Sequence, residues 1–83
     1  MASIDYNLQG GSGGDALNAA SGAQTDKLYR WIQFVEDTVL ANLEGNIANI
    51  ANLETITHLG GSGIGGTFTA VTVTSGTCIA YYQ

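Results

Sequence analysis

The sequence predicts a small, elongated α+β chain: an extended N-terminal arm, one long helix forming a trimeric coiled coil, and a C-terminal β-hairpin completed by neighbouring chains. Three observations predict it. Glycine and serine crowd two stretches, Gly10-Gly11-Ser12-Gly13-Gly14 and Gly60-Gly61-Ser62-Gly63-Ile64-Gly65-Gly66. Between them apolar residues recur at helical spacing, and after them Thr, Val, Ile and Tyr dominate. The units are therefore 1–24, a Gly/Ser-rich arm; 25–59, a helical oligomerisation stem; 60–66, a glycine hinge; and 67–83, the hairpin.

The arm shows neither helical nor strand periodicity, and its low hydrophobicity does not offset the entropy of ordering the backbone. Something outside the chain is expected to hold it, with the apolar residues Ile4, Tyr6 and Leu17 as anchors. Asp15 is placed to cap one helical turn over residues 15–20.

From Thr25 or Asp26, each a candidate N-cap, a helix is expected over 26–44. Leu28, Ile32, Val35, Val39 and Leu43 fall on one stripe. Gly45 is a weak point, beyond which Ile47, Ile50 and Leu53 carry the pattern on to about residue 54. A strict heptad would bury Asn42, Asn46 and Asn49 in succession. A stutter after Val39 leaves Leu43, Asn46, Ile50 and Leu53 inside, with a single polar layer. The resulting self-association seam is Leu28, Ile32, Val35, Val39, Leu43, Asn46, Ile50 and Leu53. Its β-branched residues fit three or four strands better than two, and a homotrimer is expected. Trp31 and Phe34 lie beside the seam as interface anchors or as a widening of it. The alternative is a helix docked flat on a larger partner.

Residues 67–74 and 77–82 are expected to pair with each other through a Ser75-Gly76 turn, placing Val71 and Val73 opposite Ala80 and Cys78. Both faces of such a hairpin are apolar. Phe68, Val71, Val73, Ile79 and Tyr81 are its partner-docking residues, together with Ile4, Tyr6 and Leu17 of the arm.

Composition narrows the function classes. Two basic residues against seven acids, a net charge of −5, leave no positive surface for nucleic acid. The start lacks a positive n-region and an apolar h-region, and no apolar run reaches membrane-span length, so no membrane partner and a product that stays in the cytosol until it joins an assembly are expected. One cysteine and one histidine cannot build a Cys/His zinc cage. Gly61-Ser62-Gly63-Ile64-Gly65-Gly66 has G-x-G-x-x-G spacing, but it follows the predicted helix and opens a strand, the reverse of a dinucleotide site. His58 has no acid beside it and is expected at a surface or interface, or as one of three rings about an axis. Cys78 is expected to be a small buried hydrophobe, and Glu36, Asp37 and Glu44 to solvate the helix exterior. No catalytic residue, cofactor, metal or small-molecule substrate is assigned.

The segment Thr67-Phe68-Thr69-Ala70-Val71-Thr72-Val73-Thr74-Ser75-Gly76-Thr77-Cys78-Ile79-Ala80-Tyr81 resembles the C-terminal ending of short tailed-bacteriophage structural proteins of the head decoration, head fibre or fibre-anchoring kind. The resemblance implies a small β terminus packed against another virion protein, and no enzymatic activity. The expected function is a structural component of a virion, made in the host cytoplasm, that self-associates and docks on the particle. The alternative is a subunit of a non-viral filament or compartment assembled by strand donation.

Overall fold

The computed structural model describes residues 13–83, and it is all-β. Six strands, β1 (Gly14–Asn18), β2 (Tyr29–Phe34), β3 (Thr38–Gly45), β4 (Thr57–His58), β5 (Gly63–Ser75) and β6 (Thr77–Tyr82), form one antiparallel sheet in the order β1-β6-β2-β5-β3-β4. The helix expected over 26–44, and with it the coiled coil and its seam, is replaced by β2 and β3. Of the seam residues, Ile32 and Leu43 are buried, Val39, Ile50 and Leu53 are half-buried, and Leu28, Val35 and Asn46 are exposed. They share no face. Ile4 and Tyr6 lie outside the described residues.

The cause of the helix-like spacing is visible in the strand register. Tyr29 and Trp31 oppose Tyr82 and Tyr81, so Arg30 is an extra residue in β2. Leu40 and Asn42 oppose Val73 and Thr72, so Ala41 is an extra residue in β3. Each bulge shifts the inward face by one position. The buried residues become Tyr29, Ile32 and Phe34, then Thr38, Leu40 and Leu43, a spacing of two and three that imitates a helix.

The hairpin is corrected as well. Residues 67–82 do form strands, but β5 and β6 are not neighbours: β6 lies between β1 and β2, and β5 between β2 and β3. Thirteen extended residues would span about 40 Å if straight. Yet the carbonyl of Ser62, before β5, accepts from Phe34 N at 2.9 Å, and that of Thr77, after it, accepts from Val35 N at 3.0 Å. Both ends of β5 therefore reach the same β2–β3 turn, and the strand must curl. Its first half pairs with β2 and its second with β3, the change coming at Phe68, which faces Tyr29 on one side and Gly45 on the other. Asn46 clamps this corner, donating from its N–H to Thr67 O at 2.9 Å and accepting from Thr67 N on Oδ1 at 3.0 Å.

The arm is not an arm from residue 14 onward. β1 pairs with β6, and Leu17 is buried opposite Cys78. The expected helical turn is a 3-10 turn at Ala19–Ser21, capped by Asn18 rather than Asp15. Asn18 Oδ1 accepts from Ala20 N at 3.0 Å while Ser21 Oγ accepts from Asn18 N at 3.0 Å. The chain then lies along the second half of β5, with paired bonds between Gln24 and Val71.

Curling brings Leu17, Tyr29, Ile32, Phe34, Leu40, Leu43, Phe68, Val71, Val73, Cys78 and Ala80 into one core. A 3-10 turn at Ile50–Leu53 supplies Ile50 and Leu53 at its margin. Glu54 fixes that turn by accepting from Leu43 N at 2.9 Å. The former hinge is part of the fabric too, since Gly63 to Gly66 belong to β5.

Candidate functional site

Alternation along the strands decides which side chains leave the core. Cys78 and Ala80 point inward, so Ile79 and Tyr81 point outward. Register then aligns two outward rows across the sheet. One is Gly14, Tyr81, Trp31 and Gly65; the other is Ala16, Ile79, Gln33 and Gly63. The two aromatics are direct cross-strand neighbours, and glycine removes the side chains beside them.

Trp31 uses that space. A Cβ at Gly63 would meet indole Cζ2 at 2.5 Å and Cε2 at 2.7 Å, and one at Gly65 would meet Cε3 at 3.0 Å and Cζ3 at 3.1 Å. The pyrrole side of the indole thus covers one glycine and the benzo side the other. A ring in that position lies flat on the β5 backbone with its opposite face outward, and Trp31 is 36% exposed. Its orientation is pinned, because Nε1 donates to Gln33 Oε1 at 3.1 Å and Gln33 Nε2 donates to Ser62 O at 3.1 Å. The Arg30 guanidinium sits 5.7 Å from the Tyr81 ring centre, a cation–π distance. The result is an aromatic strip, an indole laid on the sheet beside a tyrosine ring that carries one cation.

A polar cluster locks the sheet beneath the Gly14 end of the strip. Asp15 Oδ2 accepts from the hydroxyls of Tyr29 and Tyr82, each at 2.6 Å, and lies 3.6 Å from Lys27 Nζ. The two rings stack with centres 5.3 Å apart and 13° between planes. Hydrogen bonding from Tyr29, then from Tyr82, holds the Asp15 carboxyl below the ordinary carboxylate range, with Lys27 adding a smaller pull against the opposing effect of burial. Burial first and Asp15 second push the Tyr29 hydroxyl up, and the Asp15 bond does the same for Tyr82. Each group stabilises its partner's protonation state, so the cluster is a tie between β1, β2 and β6.

The other singled-out residues are structural. His58 is buried, stacked on Phe34 at 4.5 Å between ring centres, with Nε2 2.8 Å from Leu53 O. It is a core histidine, not a surface or axial one. Cys78 is buried and its thiol is pushed up to about 11 by desolvation. Glu36 and Asp37 sit on the β2–β3 turn, where Glu36 accepts from Thr77 Oγ1 at 2.7 Å and Asp37 from Gly60 N at 2.9 Å.

Of the docking residues expected from sequence, Leu17, Phe68, Val71 and Val73 are spent in the chain's own core. Ile79 and Tyr81 do face outward. Trp31 was expected only beside a helical seam, and the signal that locates it is the pair Gly63 and Gly65, two glycines one residue apart in an extended stretch, where a cross-strand aromatic can lie. No protein-family model, curated protein or solved structure matches this chain significantly.

Proposed function

We propose that this protein is a non-enzymatic accessory component of a bacteriophage particle, a one-sheet module that presents the Trp31–Tyr81 strip outward as a recognition surface. The observation that supports recognition over chemistry is the strip itself. Its indole is fixed by Gly63, Gly65 and Gln33 with one face free, and the Gln33 amide is itself engaged by the indole and the Ser62 carbonyl. Such rigid aromatic anchors contribute binding energy at low entropic cost. The particle setting rests on the likeness of residues 67–81 to the endings of short tailed-bacteriophage structural proteins.

Quantitative mass spectrometry of purified particles tests it. The proposal expects the chain at a fixed copy number per particle, unchanged when Trp31→Ala and Tyr81→Ala are introduced together. A chain made during infection but missing from purified particles contradicts it.

A further inference from the structure

We infer that the Trp31–Tyr81 strip binds the pyranose rings of a neutral polysaccharide. This rests on reading the strip as the recognition surface and adds the chemical class of its ligand.

Flatness selects the ligand. Protein-interface tryptophans act by entering a partner's pocket, where most of the ring is surrounded. Trp31 cannot do so, because one face of its indole is laid on Gly63 and Gly65 and only the other is offered. A ligand that uses one ring face must itself be flat and apolar on one side. The axial C–H bonds of a pyranose form such a side, and they meet the negative face of an aromatic ring favourably. Nucleobases are the other flat candidates. Their phosphates would face a chain of net charge −5, with Arg30 the one cation on the strip.

Extent and polarity agree with a chain of sugars. The row Gly14, Tyr81, Trp31, Gly65 crosses four strands, or about 14 Å at ordinary strand spacing, and among the described residues it ends in a glycine on both sides. It is longer than a single sugar ring. The Arg30 guanidinium, which makes no ion pair among the described residues, stands over Tyr81 as a donor for ring hydroxyls. Tyr81 holds that guanidinium beside the indole, so its part is to place the donor.

Trp31 is the only tryptophan, so its fluorescence reports this site alone. The experiment titrates the full chain with soluble β-glucan, mannan and galactan, and with a single-stranded oligonucleotide, following fluorescence and mobility in polysaccharide-containing gels. At least one polysaccharide should shift Trp31 emission and retard the protein. Trp31→Ala should abolish retardation, Tyr81→Ala should weaken it at least tenfold, and Trp31→Tyr should retain part of it. Leu59→Ala, at an exposed apolar residue off the strip, should change nothing. Circular dichroism of each variant confirms the fold, and Gln33→Ala, which frees the indole without removing it, should also weaken binding. The inference is overturned if no polysaccharide moves emission or mobility, if Trp31→Ala binds as wild type does, or if only the oligonucleotide responds. Particle copy number separates the two failures: a chain present on particles that ignores every polysaccharide sinks this inference alone, and a sugar-binding chain absent from particles sinks the virion setting alone.

Discussion

Gly63 lies directly beneath the indole of Trp31, so close that a methyl group there would come within 2.5 Å of Cζ2. Gly63→Ala should therefore lift the ring off the sheet. The obstructing atoms belong to a movable side chain, so the stability loss should be modest, about 1 kcal/mol. Red-shifted Trp31 emission and faster acrylamide quenching would show the displacement. Unchanged quenching would mean that the ring does not rest on this glycine.

Gly76 provides the contrast. Its φ is +85°, and a Cβ would strike the Asp37 carbonyl and the Thr38 backbone at the crossing from β5 to β6. Backbone cannot swing aside as an indole can. Gly76→Ala should cost about 2–4 kcal/mol in denaturant unfolding, combining the left-handed strain with overpacking. A loss no larger than that of Gly63→Ala would contradict the tight crossing.

Asp15 ties three strands through two tyrosines, and removing it strands the fully buried Tyr29 hydroxyl. Asp15→Ala should destabilise by about 1–3 kcal/mol. The pH dependence follows from the direction of the shifts. The carboxyl is depressed in the folded chain, so its contribution is present above the ordinary value of 3.8 and is lost as pH falls through the native value. The Tyr29 and Tyr82 hydroxyls are raised, so theirs is present below the ordinary 10 and is lost as pH climbs through the native values. Absorbance at the tyrosinate band should show late-titrating tyrosines in the native protein, and Asp15→Asn should bring that titration earlier.

Cys78 should be unreactive. Its thiol is buried, and desolvation raises it to about 11, which leaves little thiolate at neutral pH. Labelling with a thiol reagent should follow the opening of the fold, slow in buffer and prompt in denaturant. Prompt labelling of the native protein would place β6 at the surface.

The strand character of residues 67–82 was legible in their Thr, Val and Ile content, because β-branched residues suit a pleated surface wherever the partner lies. The partner itself was not. Ser75-Gly76 reads as a hairpin turn, yet the curl of β5 carries its end to the β2–β3 turn, and that curl depends on contacts such as Asn46 with Thr67 that no local pattern records. The stem was misleading for a different reason. Bulges at Arg30 and Ala41 change a strand's period of two into steps of two and three, so Ile32 and Leu43 sit where a helix would also bury them. A bulge is decided by pairing with another strand, and a single segment does not show it. Tyr81 was legible as a docking residue, but its neighbour Trp31 became part of the same strip only when register brought β2 beside β6.

Nuclear Overhauser contacts of the Trp31 ring give the most direct measurement. Cross-strand register predicts strong contacts from the indole to the α protons of both Gly63 and Gly65, together with interstrand contacts between Trp31 and Tyr81. Sequential helical contacts over residues 26–44, or an indole touching neither glycine, would contradict the sheet and the recognition strip together.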